Sequence, residues 1–347
     1  MIIEYCHRRF RSCALLFVTL VLVVTVAQAQ DTMVSPKEWK LSTAVGSAFA
    51  VGKAGERWAK LIAEKSDGKF NVQMFPGATL SRRDPAREFL ALRDGAADLA
   101  VGSTLFWSIQ VSELALIGLP WLAPDDKDLG ALLMNEVIAS QLFAAVERAG
   151  AVPLALAALG HREIATTGRV LRSPADLNAM KVRATSLSLV RDMFVALGAE
   201  PWAMAFADAQ VALRAGILDA QEGQPATFAA ARLDALGFKQ VLLWGAVAEV
   251  AIFAANQTVW KSWSDEERAI VKSAAQQAAR ELPALARAEN DAALAELRQR
   301  GITVTRLTAT GRAAFAAAAR GVYDKWASVA GPELVRVAEA AIKGTTP

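Results

Sequence analysis

SPADLNAMKVRAT, residues 173–185, runs directly into SLSLVRDMFVALGAEPWAMAF, residues 186–206. Ser173 followed by Pro174, Ala175 and Asp176 has the chemistry of a capped helical turn. Lys181-Val182-Arg183-Ala184 alternates polar with apolar and predicts a strand. Apolar residues at helical spacing over 187–197 predict a helix, closed by Gly198. A turn, a strand and a helix in quick succession are the repeating unit of an α/β fold, with strands in a sheet and helices on its faces.

The same alternation extends in both directions. Upstream, strands are expected over 39–45, 69–75 and 98–101, with helices over 51–65 and 82–93. One long helix is expected over 125–148. The continuous apolar run at 151–159 then predicts a buried parallel strand. A second unit is expected to start near His161, with its own short strand at 164–167. Downstream, a helix over 208–215 stops at Gly216, and a strand over 217–220 leads into Gln221-Glu222-Gly223. Further strands are expected at 241–244 and 249–254. Ser264-Asp265-Glu266-Glu267 has the form of a capping box, and the helical run behind it reaches Arg300. Pro283 lies inside that run, so a long kinked helix is expected. A strand at 302–306 and two Ala-rich helices close the chain.

Composition narrows the function. The 347 residues carry a formal net charge of +3, and 54% of them are hydrophobic. That is enough for a real core and for two domains. No block of basic residues suggests nucleic acid as a partner. Arg8, Arg9 and Arg11 precede an apolar run over 14–26 that ends in Ala27-Gln28-Ala29, the pattern of a secretory signal peptide. Cleavage after about Ala29 and a periplasmic location are expected. Both cysteines, Cys6 and Cys13, leave with that segment, and His161 is the single histidine that remains. A Cys/His metal site, a disulfide and a thiol nucleophile are therefore excluded from the mature chain.

Catalytic motifs fail on inspection. The glycines between Gly46 and Lys53 have the wrong spacing for a phosphate loop, and Ala54 stands where Ser or Thr is required. Ser66 and Lys69 flank a turn with no companion motif, and no G-x-S-x-G elbow exists. No general base has a supporting partner, so an enzyme is not expected, and neither is a cofactor. What remains is a pair of arginines. Arg162 and Arg183 both lie at strand-associated positions beside apolar segments, where a charge needs a partner. A guanidinium grips a carboxylate through two parallel hydrogen bonds; a structural salt bridge to Asp or Glu is the alternative for each.

Three ordered blocks carry a family resemblance. Residues 173–185 resemble P-x-D-L-x-G-x-K-x-R. Residues 196–206, ALGAEPWAMAF, are similar to A-L-G-A-x-P-x-P-M-x-F. Residues 212–225, ALRAGILDAQEGQP, resemble A-L-x-x-G-x-x-D-G-Q-E-N-P. These are blocks of the DctP-type substrate-binding proteins of tripartite ATP-independent periplasmic (TRAP) transporters, and the resemblance runs over essentially the whole mature chain.

The resemblance implies a periplasmic-binding-protein-like two-domain clamshell with the ligand cleft between its domains. Domain I would span 36–160 and about 248–285, and domain II 161–247 and about 286–345. It implies capture of a small organic carboxylate for an ion-driven TRAP membrane permease, by a protein expected to be monomeric. A sensor subunit and a small-acid hydrolase or isomerase are the other readings. The Arg of the K-x-R block, here Arg183, would grip the carboxylate, with Arg162, Glu222 and the Phe206 ring nearby. The family's ligand-binding Asn is replaced by Gly223, and Trp202 enters the P-x-P-M block. With nine Trp and two Tyr in the chain, Trp107, Trp121 and Trp244 also stand at positions able to face a ligand, with core packing as the alternative for each. Lost polar contacts and gained aromatics suggest a monocarboxylate with an apolar or aromatic body, such as a 2-oxo or 2-hydroxy aryl acid. A C4-dicarboxylate is the family default.

Overall fold

A computed structural model describes residues 37–204 and 206–344; the expected signal peptide lies outside the described residues. The strands are β1 (Lys37–Thr43), β2 (Phe70–Phe75), β3 (Leu99–Ser103), β4 (Ala151–Thr166), β5 (Lys181–Ala184), β6 (Glu200–Ala203), β7 (Ala220–Gly223), β8 (Gln240–Asn256) and β9 (Thr303–Arg306). They form one mixed sheet in the order β2-β1-β3-β8-β4-β7-β5-β6, with β9 added to β8.

Two long strands organise this sheet. β4 and β8 pair antiparallel from Ala151↔Asn256 to Thr166↔Gln240, with irregularities near Pro153, Gly160 and Arg162. β3 pairs with the C-terminal end of β8, and β9 pairs with its N-terminal end. β7 extends the sheet from the far end of β4, followed by β5 and β6. Every residue of β8 is buried. This explains its near-continuous apolar sequence, since a strand covered on both faces has no side to leave polar.

Several expectations need correction here. The run at 151–159 is buried as expected but antiparallel to its neighbours, because covering both faces of a strand fixes composition and not direction. The strand does not end there: β4 passes through Gly160 and His161 to Thr166. The strands expected at 241–244 and 249–254 are likewise one strand, β8, which continues through Gly245 at φ +62. A Cβ at Gly245 would stand 2.2 Å from the Pro124 carbonyl oxygen, so only glycine fits this crossing. The helix expected over 125–148 is two helices, Asp126–Met134 and Glu136–Arg148, bent by 72° at Asn135. Asn135 breaks it by accepting hydrogen bonds from the Val137 and Ile138 N–H groups as an N-cap. Pro85 and left-handed Arg82 and Arg83 shorten the helix expected over 82–93 to Glu88–Arg93. Three helices close the chain, not two: Ala309–Ala318, Arg320–Ala330 and Pro332–Lys343.

The helix Asp265–Gln299 begins at the expected Ser264–Glu267 capping box and runs through Pro283. It packs on the helix Ala50–Lys65, whose buried stripe runs from Ala50 to Ile62. Trp58 Nε1 donates to the Val271 carbonyl at 3.1 Å, and Arg57 Nε meets Glu281 at 2.9 Å. Helix, sheet and helix thus enclose the core around Trp39, Leu41, Phe253 and Leu282.

One buried acid makes the fold's stability depend on pH. Glu88 is 1% exposed and accepts a hydrogen bond from Ser42 Oγ at 2.9 Å. Burial pushes its pKa up from 4.5 to about 7, with the Ser42 hydrogen bond opposing the shift. The folded state therefore favours the protonated acid. Below about pH 4.5 this costs nothing, and stability falls as pH rises from there towards 7. Glu88→Gln keeps the acceptor for Ser42 and removes the ionisation. It should gain roughly 3 kcal/mol over wild type at pH 8 relative to pH 4, read by urea denaturation at both pH values. An unchanged difference would place the ionisation of Glu88 outside the folding equilibrium.

Candidate functional site

The charges of the site converge where β3, β4, β7 and β8 approach the middle of the sheet. Arg162 on β4 is 8% exposed and faces two carboxylates. Glu222 on β7 is 1% exposed and takes Arg162 in a fork: Nε contacts Oε1, and Nη2 donates to Oε2 at 3.1 Å. Glu249 on β8 is 6% exposed and accepts from Arg162 Nη1 at 2.9 Å. Its oxygens also accept from Ser103 Oγ at 2.9 Å and Gln224 Nε2 at 3.1 Å. Burial alone disfavours the charged Arg162, but the two carboxylates outweigh it and raise its pKa above the ordinary value. The Arg162 carbonyl accepts from Trp244 Nε1 at 3.0 Å, which locks the backbone beneath this cluster.

Arg183 lies beside the cluster on β5, half-buried. Its Nη2 donates to the Met204 carbonyl at 3.1 Å. Burial pulls its pKa down; Glu222 acts against this, and Arg162 adds to it. The parallel register sets Arg183 opposite Gln221 on β7 and Trp202 on β6, so the three side chains leave the sheet on the same face. Trp202 is 39% exposed, with Lys181 Nζ 5.9 Å from its ring centroid. Phe206 starts the helix Phe206–Arg214; its ring lies outside the described side chains. Gly223 ends β7, and a Cβ there would stand 3.0 Å from Thr227 Oγ1 and 3.3 Å from the buried Phe228 ring. The absence of the family's Asn is thus matched by close packing behind the position.

Of the two readings open for Trp107, Trp121 and Trp244, ligand wall or core, the structure shows core for all three. Trp107 is fully buried against Phe89. Trp121 and Trp244 meet edge to face at 5.7 Å, and both pack on Phe315. Position at a strand end or in a loop did not predict their burial, because their partners come from distant parts of the chain.

Glu249 and Ser103 were missed in the sequence. Glu249 had a visible signal: it is a lone carboxylate inside the otherwise apolar run of 241–255, and such a charge demands a counter-ion. A cavity of about 1040 Å³ lies apart from this cluster, lined by His161, Glu163, Pro283, Arg287, Asn290 and Arg306 among others. His161 and Glu163, but not Arg162 between them, line it.

Residues 41–329 match the model of DctP, bacterial extracellular solute-binding protein, family 7. Protein y4mM of Sinorhizobium fredii is 31% identical over 89% of this chain and 56% of its own, so the chain spans about half the length of that relative. The C4-dicarboxylate-binding periplasmic protein DctP of Rhodobacter capsulatus is 24% identical, over 92% of this chain and 95% of its own. Among solved structures, a TRAP periplasmic solute-binding protein from Ralstonia eutropha H16, with bound (S)-2-acetolactate, is 43% identical. It superposes with a TM-score of 0.84, covering 88% of this chain and 99% of that one. A second, from Roseobacter denitrificans with bound β-D-glucuronate, is 25% identical with a TM-score of 0.81, over 89% and 100% of the two chains. The Rhodobacter protein and the two solved structures are solute-binding proteins that take small acids, and the matched family is one of solute-binding proteins and not of enzymes.

Proposed function

Because the chain belongs to the DctP family, the bacterial extracellular solute-binding proteins of family 7, we propose that it captures a small monocarboxylate with a 2-hydroxy or 2-oxo group and delivers it to a TRAP membrane permease. The observation that carries this reading is the charge balance of the site. Arg162 and Arg183 are matched by Glu222 and Glu249 before any ligand arrives. A monocarboxylate brings one negative charge to Arg183, where a planar fork can hold it. A dicarboxylate would bring two, the second close to the buried carboxylates, and the further cation on that face, Lys181, stands at the Trp202 rim.

In this reading Arg183 grips the carboxylate. Arg162, with Nε, Nη1 and Nη2 all engaged, holds Glu222 and Glu249 in place. The aryl body suggested by the tryptophans loses its support, since Trp107, Trp121 and Trp244 are core; Trp202 keeps a place at the rim. The 43% identical relative with bound (S)-2-acetolactate supports a compact 2-hydroxy acid. The protein would act as a periplasmic monomer after loss of residues 1–29. Its two domains, divided near residue 160, would close on the ligand.

The test is thermal-shift screening of the mature protein with acetolactate, lactate, pyruvate, succinate and malate. A bound acid at about 100 times its Kd adds roughly 2.7 kcal/mol, a shift of several degrees. Monocarboxylates should give the large shifts. A panel led by succinate or malate would overturn the ligand class, and no shift with any acid would overturn the binding role.

A further inference from the structure

Gln221 is 1% exposed, and neither its Nε2 nor its Oε1 has a hydrogen-bond partner among the described residues. Thr185 Oγ1, just past the C-terminal end of β5, is also buried without a partner. Interior polar groups are nearly always paired, so an orphaned amide in a native core calls for an explanation. It cannot be a matter of packing alone, since a methionine or leucine of similar size would fill the space without the penalty.

Its position supplies the explanation. β5 and β7 are adjacent parallel strands, and Gln221 stands in register with Arg183. Neighbouring strands lie about 4.8 Å apart, with in-register side chains on one face. A carboxylate gripped by Arg183 therefore brings its C2 substituent to the Gln221 amide. Carboxylate and ketone oxygens only accept hydrogen bonds and leave Oε1 unmet; a hydroxyl also donates.

We infer that Gln221 is a specificity-determining residue that reads a hydroxyl on C2 of the bound acid: Oε1 accepts the hydroxyl proton while Nε2 donates to the neighbouring carboxylate oxygen. This rests on the proposed role of Arg183 as carboxylate grip. It narrows the ligand class from 2-oxo or 2-hydroxy acids to 2-hydroxy acids. Thr185 Oγ1 is placed to complete the polar wall. The arrangement also offers a replacement for the family's Asn, whose place Gly223 occupies with the Thr227 and Phe228 side chains packed behind it.

Calorimetric titration with matched acids tests this directly: 2-hydroxyisobutyrate against isobutyrate, and lactate against pyruvate. In the wild-type protein the hydroxy acid should bind at least about tenfold tighter in each pair, because its analogue leaves a buried acceptor unpaired. Gln221→Met should shrink that gap to about twofold or less while isobutyrate still binds. The ligand-free variant should melt no lower than wild type, since an unmet polar group has been removed. A purely structural glutamine would give the reverse pattern, with a lower melting temperature and both acids weakened alike. Equal binding of the wild-type pairs, with Arg183 still required, would overturn the role of Gln221 and leave the carboxylate reading standing. A gap that survives Gln221→Met, or a variant that fails to fold, would also overturn it. Failure of every acid to bind would remove both readings together.

Discussion

Arg162→Met is expected to destabilise the protein by about 3–5 kcal/mol, the usual loss when one partner of a buried ion pair is removed. The size of the effect follows from what the arginine leaves behind. Glu222 and Glu249 are 1% and 6% exposed. Without Arg162, Glu222 loses both contacts of its fork, and Glu249 keeps only Ser103 and Gln224. Two carboxylates would then share a site of low polarity with reduced compensation. Urea denaturation at pH 7 measures the loss, and a triple variant that adds Glu222→Gln and Glu249→Gln should recover much of it. That recovery is the useful diagnostic, because removing all the charges together leaves none uncompensated. A loss below about 1 kcal/mol for Arg162→Met would mean that water reaches the carboxylates and that the cluster behaves as a surface pair.

Arg183→Lys should raise the Kd for the bound acid about 100-fold while the ligand-free protein melts within a few degrees of wild type. Lysine keeps the charge but presents a point donor where the guanidinium presents a planar fork. Truncating a desolvated, charge-assisted contact costs roughly 2–5 kcal/mol of binding energy, and each 1.4 kcal/mol is tenfold. The stability side differs from Arg162 because burial already disfavours the charge on Arg183 and lowers its pKa. Titration calorimetry together with melting of the free protein separates the two effects. Affinity within about threefold of wild type would move the grip on the carboxylate to another residue. The two arginines thus differ: Arg162 is expected to hold the fold together, and Arg183 to hold the ligand.

Local chemistry was the most legible part of this chain. Ser173 and Asp176 cap the expected helical turn, Lys181–Ala184 is the expected strand, and Ser264 with Glu267 forms the expected capping box of the long helix. These features depend on residues within a few positions of each other. Features set by partners distant in sequence were harder to read. The direction of β4 follows from β8, which lies some ninety residues further on, and no apolar run encodes it. The break at Asn135 was open to reading as an N-cap, and Gly331-Pro332 as the start of a third closing helix. In the site, the K-x-R block pointed to Arg183, and Arg162 and Glu222 were both named from the sequence. That they form one fork, with Glu249 as the second counter-ion, emerged only from the sheet order. The tryptophans stayed open between ligand and core because an indole at a strand end looks the same in sequence whether it meets solvent, ligand or core.

The central position of β8 also governs when the molecule can form. Leu99 on β3 waits for Ala255, and Ala151 on β4 waits for Asn256. At about 5–20 residues per second, a ribosome needs on the order of ten seconds to pass from the end of β3 to the start of β8. Through that interval β1, β2 and β3 have no strand to join them to β4, and pairings of such sequence separation form slowly even once both partners exist. Assembly of the sheet is therefore a late event in the life of the nascent chain. That delay suits the export to the periplasm proposed above.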